Sequence, residues 1–221
     1  MATRDAPPSA LLLMAPGCAH CPVVLEGLVQ LIEKGKLGRL EVVNILAHPE
    51  RAQEVGTRSV PWTRIGPFEL SGALTAGELA QWVTRAAEGT GIGAYYGHLL
   101  EDRKLDRVVA MIRETPATLN DLLSLLEDKD TPMAVRIGVG AVMEELQASG
   151  LISEALPELM RLAESDDPAL RADACHYLGL SGDSAARPAL EARLQDEDAE
   201  VREIAAESLA LLDTEPGEPT Q

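Results

Sequence analysis

The 221 residues are too many for one small core and about right for two modest domains, and 46% of them are hydrophobic, so a core can be buried. Aromatics make up only 3%, which argues against a stacking platform for single-stranded nucleic acid. The net charge of −17 sits in one half, because residues 1–90 hold 8 Lys and Arg against 9 Asp and Glu while residues 91–221 hold 11 against 27. A field of that sign repels phosphate backbones and anionic lipid and suits a basic protein surface.

The apolar run Ala10-Leu11-Leu12-Leu13-Met14-Ala15 follows Asp5 and two prolines and lacks a basic leader. It reads as a strand buried on both faces, stopped at Pro16-Gly17, and not as a secretory signal. Nothing approaches the roughly 20 apolar residues of a membrane helix. From about Ala19 to Lys34, the spacing of Val24, Leu25, Leu28, Leu31 and Ile32 predicts a helix stopped by Gly35. A second strand is predicted over Leu40 to Leu46 and a short helix over Pro49 to Val55. Two strands follow, Ser59 to Ile65 and Phe68 to Ser71, turned at Gly66-Pro67, and then an amphipathic helix over Ala73 to Ala87. The order βαβαββα predicts an α/β unit with one mixed sheet over residues 1–90.

Gly89-Thr90-Gly91-Ile92-Gly93 interrupts the helix, and everything beyond has helical period. Three segments align there: Pro132 to Arg136, Pro168 to Ala174 and Ala199 to Ala205, with Arg136, Arg171 and Arg202 spaced by 35 and 31 residues. Each follows a Leu-rich helix ending in acidic residues, predicted over Leu119 to Asp128, Ala155 to Asp166 and Ala186 to Asp196. A degenerate pair over 92–114 would turn Tyr95, Leu99, Val108 and Ile112 inward. Over residues 117–212 this pattern resembles the HEAT and HEAT-like repeat family, which implies an all-α solenoid over 91–213 with a curved binding surface. Each repeat arginine is expected to pair with the acidic turn of its neighbour, with Asp130, Asp167 and Asp198 as partners or caps. Residues 214–221, with two prolines and no apolar content, are predicted to be a disordered tail.

Cys18-Ala19-His20-Cys21 stands between the first strand and the first helix. Three cysteines without a secretory signal do not make a disulfide framework, and the chain is placed in the cytoplasm. A close pair at a helix start is arranged for thiol–disulfide exchange: the dipole stabilises a thiolate on Cys18, the nucleophile, and Cys21 lies one turn in to resolve a mixed disulfide. His20 either stabilises that thiolate or merely faces solvent. A structural zinc pair would need two further ligands at suitable spacing, which the sequence does not supply, and an inert dithiol is the other alternative. Cys175 reads as a small buried hydrophobe, and His48, His98 and His176 as isolated histidines.

Over about residues 8–88 the motif and element order resemble the thioredoxin superfamily, and Cys-x-x-Cys-Pro followed by Val-Val resembles the dithiol domains of peroxiredoxin-reductase flavoproteins and archaeal glutaredoxin-like proteins. The resemblance implies a cis-proline at Pro61, before the third strand and against the dithiol, with Val60 offering backbone hydrogen bonds to an incoming peptide. Val60, Ala19 and Trp62 are the expected substrate-binding residues, with Trp62 as core or as part of the rim. Thioredoxin proper has a Trp where this chain has Gly17 and a buried Asp where it has Leu12. These expectations add up to a thiol–disulfide oxidoreductase or redox relay with catalytic Cys18, Cys21, His20 and Pro61, no cofactor and no metal. Its partners would be a protein client chosen by the acidic repeats and a protein electron donor or acceptor, with no nucleic acid and no membrane. The alternative is a repeat scaffold or adaptor whose dithiol is a redox switch or vestigial.

Overall fold

The structure, a computed structural model, describes residues 6–213, and the predicted tail lies outside them. The chain divides into two compact units between Gly91 and Ile92. The first runs β1 (Ser9–Met14), α1 (Cys21–Glu33), β2 (Arg39–Asn44), α2 (Pro49–Glu54), β3 (Trp62–Ile65), β4 (Phe68–Ser71) and α3 (Ala76–Glu88). Its four strands form one mixed sheet in the order β2-β1-β3-β4. β1 is parallel to β2 and antiparallel to β3, and β3 is antiparallel to β4. The apolar run at Ala10–Leu13 is therefore interior, which is why it shows no polar alternation.

One sheet face carries Leu11, Leu13, Val43 and Trp62, packed by Ile45, Val55 and Val60. On the other, the pairs Leu12–Thr63, Thr63–Leu70 and Ile65–Phe68 lie side by side. Phe68 meets Trp82 of α3 at 5.0 Å between ring centroids, and α1 packs against α3, so both helices cover this second face. The core-facing stripe of α1 is Cys21, Val24, Leu28 and Leu31, with Leu25 and Ile32 half-buried. α3 opens with a capping box between Thr75 and Glu78 and ends at Gly89, whose φ of +66° admits the left-handed turn that stops the helix.

Two predicted strands are shorter than expected. β2 stops at Asn44, whose Oδ1 accepts from Leu46 N (3.0 Å) and turns the chain away from the sheet. β3 begins at Trp62 instead of Ser59, since β1 ends at Met14 and Pro61 has no N–H to donate to a ladder.

The second unit contains α4 (Ile92–Glu101), α5 (Leu105–Glu114), α6 (Leu119–Glu127), α7 (Met133–Leu146), α8 (Leu156–Leu162), α9 (Pro168–Leu180), α10 (Arg187–Arg193) and α11 (Ala199–Asp213). The predicted helix over Ala155 to Asp166 is shorter, a 3-10 turn at Leu151–Ala155 leading into α8. The pairs α6–α7, α8–α9 and α10–α11 stack through α7 on α9 and α9 on α11. Each pair buries leucines and valines that it could not cover alone. Gly179 of α9 and Ser208 of α11 show how close the stacking is: a Cβ on Gly179 would stand 2.7 Å from Ser208 Cβ. α4 and α5 pack on α6 and α7 with Tyr95, Leu99, Val108 and Ile112 buried, and Tyr96 Oη and Thr118 Oγ1 share a hydrogen bond of 2.6 Å. No helix among the described residues is long and apolar enough to cross a membrane.

Candidate functional site

Gly17, at φ +79°, turns the chain out of β1, and Cys18 N donates to Ala15 O at 3.3 Å. Cys18 is half-buried, Ala19 and His20 are exposed, and Cys21 is fully buried on the sheet side of α1. Cys18 and Cys21 are joined as a disulfide with Cα atoms 5.5 Å apart. His20 occupies the N-cap of α1, where its backbone carbonyl accepts from Val24 N (3.4 Å) and its side chain makes no cap hydrogen bond. Pro22 falls in the first turn, where no carbonyl awaits its missing N–H. The N–H of Cys21 donates to Cys18 Sγ at 3.2 Å.

The Val60–Pro61 peptide is cis. Pro61 is buried, its carbonyl accepts from Gly72 N at 3.0 Å, and it stands one residue beyond the Leu13–Trp62 pair. That is the end of the sheet from which the cysteine loop leaves β1. Sheet pairing thus brings Pro61 and Val60 to the same edge as the dithiol, although 43 positions separate Cys18 from Pro61. Val60 is half-buried against the Trp62 cluster, and Trp62 is 3% exposed, a core residue and not part of a rim.

One residue near this edge was overlooked in the sequence, where Thr63 reads only as part of a strand. Its Oγ1 is fully buried and has no hydrogen-bond partner among the described residues. It sits beside Leu12 on the face covered by α1, making it a polar group in an otherwise apolar layer beneath the helix that begins with Cys21. The sequence signal was a lone hydroxyl between Trp62 and Ile65. The remaining cysteine, Cys175, is unpaired and buried in α9, and burial pushes its thiol up to about 11. Among the described residues no group of three or more His, Cys, Asp or Glu side chains is placed to hold a metal ion.

In the second unit two of the three repeat arginines, Arg136 and Arg202, do something other than expected. Arg136 donates through Nη2 to Leu126 O (2.8 Å) and Asp128 O (3.1 Å), and Arg202 through Nη1 to Asp196 O (2.7 Å) and Glu197 O (3.0 Å). Each clamps the turn of its own helix pair, supplying donors to carbonyls that the end of the preceding helix leaves unpaired. Arg171 does the same with Ser165 O (2.9 Å) and Asp166 O (3.2 Å), and only it also reaches its neighbour, through Nε and Nη2 to both carboxylate oxygens of Asp196 at 3.0 and 2.7 Å. The reason lies in the turn: where the last turn has Asp196, the preceding one has Ser165 at the matching place, so Arg136 meets no carboxylate there. Hydrogen bonds from Arg171 hold the Asp196 carboxyl below the usual carboxylate range. Asp167 and Asp198 cap α9 and α11 by accepting from Ala169 N (3.0 Å) and Glu200 N (2.9 Å), whereas the N-cap of α7 is Pro132 and Asp130 caps nothing.

The two units define a chain in which an α/β sheet unit with a paired dithiol precedes a helical-repeat array. Residues 119–210 match the family described as HEAT repeats, which covers the three pairs clamped by Arg136, Arg171 and Arg202. That stretch is built of HEAT repeats, and the first unit is a small α/β region with a four-stranded mixed sheet and the Cys18–Cys21 pair. A comparison with curated proteins returned no match.

Proposed function

We propose that this chain is a protein-binding adaptor whose HEAT-repeat unit holds a partner protein and whose dithiol unit responds to the thiol–disulfide poise around it. The observation that carries this reading is the stacked series of helix pairs, each closed by the same arginine clamp, in a sequence stretch that matches HEAT repeats. Such arrays present a continuous face to a protein, and the −16 charge of residues 91–221 supports a basic partner over nucleic acid or anionic lipid. The test is quantitative recovery of partners by the intact protein in its oxidised form, its reduced form, and a Cys18→Ser/Cys21→Ser variant. A shared partner whose affinity changes with the dithiol state supports the adaptor. Recovery of nothing beyond the level seen with an unrelated acidic protein contradicts it.

A second reading is favoured by one specific arrangement: Cys18 at the start of α1, Cys21 buried a turn further in, and cis Pro61 at the same sheet edge. This arrangement resembles the thioredoxin superfamily and supports a thiol–disulfide oxidoreductase. In the reducing direction, the Cys18 thiolate attacks a client disulfide, forms a mixed disulfide and releases one client thiolate. The Cys21 thiolate then attacks Cys18 Sγ, the second client sulfur leaves, and two electrons have passed from the dithiol to the client. A separate thiol donor restores the pair, and with a client dithiol the same steps run in reverse. His20 would stabilise the thiolate, while Ala19, Val60 and Pro61 would line the approach. A Cys21→Ser variant is expected to accumulate mixed disulfides through Cys18, and failure to trap any client would leave the adaptor alone.

A further inference from the structure

Within the second unit, an open groove of about 610 Å³ runs between α7 and α9. Its α7 wall begins with Met133 and Ile137, 69% and 66% exposed and one helical turn apart, so they form an apolar ridge facing water. Its α9 wall contributes Asp173 and Tyr177. The Asp173 carboxylate is half-buried and, among the described residues, has no hydrogen bond or ion pair, with Arg136 and His176 acting on it only at longer range. Burial raises its pKa, the sign of a carboxylate short of compensating charge. Arg136, also in the lining, has its Nη2 engaged by the Leu126 and Asp128 carbonyls.

Glycine in α7 points the same way. The helix carries two, Gly138 and Gly140, and glycine inside a helix is destabilising relative to alanine. Gly138 has a packing reason, since a Cβ there would stand 3.1 Å from Leu100 Cδ2. Gly140 has none: a Cβ would meet only Tyr177 Oη, at an ordinary 3.5 Å. What the missing side chain does is keep the groove open beside the tyrosine hydroxyl.

We propose that this groove docks a segment of a partner protein that sets a lysine or arginine against Asp173 and a large apolar side chain over Met133 and Ile137. The proposal rests on the adaptor reading and gives the partner its chemistry. Charge selects the occupant. A second copy of this chain would bring another −16 from its own repeat half, and the chain's final eight residues include Glu215 and Glu218 but no basic residue. Among the charged side chains of the lining, Asp173, Glu144 and Asp167 outnumber Lys129 and Arg136, and Arg136 is engaged by backbone carbonyls, so the balance at the groove favours a cation. The apolar ridge asks for more than a small cation, because water leaves Met133 and Ile137 only if carbon covers them.

The test is selection of a randomised peptide display library against the intact protein, followed by affinity measurement of the enriched peptides. Enriched sequences are expected to place Lys or Arg within a few residues of a large apolar side chain. Gly140→Leu, which fills the groove, and Asp173→Asn are each expected to weaken binding at least tenfold, and Glu203→Gln, an exposed acid of α11 outside the lining, to leave it unchanged. Ile137→Ser, at a side chain that already faces water, serves if Gly140→Leu disturbs the fold, and the same tenfold loss is expected. Enrichment without a basic residue, or affinities indifferent to all three groove substitutions, would overturn the groove while leaving an adaptor that binds elsewhere. Absence of any enriched peptide would count against groove and adaptor together.

Discussion

In the first unit the candidate site is assembled from distant parts of the chain, whereas in the second each structural device is built almost where it stands in sequence. Cys18 and Pro61 share an edge only because β1 pairs with β3. Arg136 finds its acceptors 8 and 10 residues back, and Arg202 finds its own 5 and 6 residues back. Local devices repeat, and repetition makes a long surface out of one motif. A site built on sheet register is made once and depends on the whole sheet. The exception inside the repeats is Arg171, which adds a bond to Asp196, 25 residues ahead, to its local clamp.

That exception allows the largest test of the comparison. Arg171→Ala leaves the buried Asp196 carboxylate, among the described residues, only Arg193 Nη1 at 3.3 Å and the Asp198 N–H at 3.0 Å, and is expected to cost about 3 kcal/mol in urea unfolding, the low end for a broken buried pair. Arg202→Ala removes only a local clamp and is expected to cost about 1–2 kcal/mol. Equal costs would mean that Arg171's longer reach adds nothing. Gly179→Ala forces a methyl against Ser208 and is expected to cost about 2 kcal/mol, much of it recovered when Ser208→Gly is added; no recovery would place the strain elsewhere.

A pH test sharpens the contrast between the two kinds of cysteine. Burial raises the Cys175 thiol to about 11, so folding favours its protonated form. The stability this represents is present below the unfolded thiol's value near 8.5 and declines as pH rises from there towards 11. Cys175→Ala should flatten that part of the stability profile relative to the parent chain, as read by unfolding at pH 8 and pH 10.5. In the native reduced protein at pH 8, a thiol reagent is expected to label Cys18 rapidly and Cys175 only after denaturation; comparable rates would contradict the burial. The smallest expected effect is at Thr63. Replacing its unpartnered buried hydroxyl with the isosteric methyl of Thr63→Val should stabilise the oxidised protein by about 1 kcal/mol, and destabilisation would show that the hydroxyl has a partner.

The order of elements in the first unit was legible because its strands are short apolar runs between Gly and Pro turns and its helices carry clear periodicity. The HEAT repeats were legible through the recurrence of Arg136, Arg171 and Arg202 in phase. What Arg136 and Arg202 bind differs from the expected acidic partner, because a sequence displays carboxylates and hides backbone carbonyls. The helix-end carbonyls are acceptors at every turn, while of the two turns that follow a repeat arginine only the second carries a carboxylate at the matching place, Asp196. Thr63 was missed for a similar reason: a threonine in a strand signals strand, and its isolation is visible only once Leu12, Ile65 and Leu70 surround it. The groove between α7 and α9 was equally invisible, since Asp173 and Ile137 are 36 positions apart and meet through helix stacking.

Both functional readings share one requirement, that the Cys18–Cys21 bond opens and closes under biological thiol poise. Its reduction potential, measured in the intact chain against glutathione buffers, tests this most directly. A potential within the range of exchanging dithiols, roughly −120 to −270 mV, is the expected result. A value below about −300 mV, with the bond unmoved by reduced glutathione, would make the pair a fixed structural staple and contradict the account.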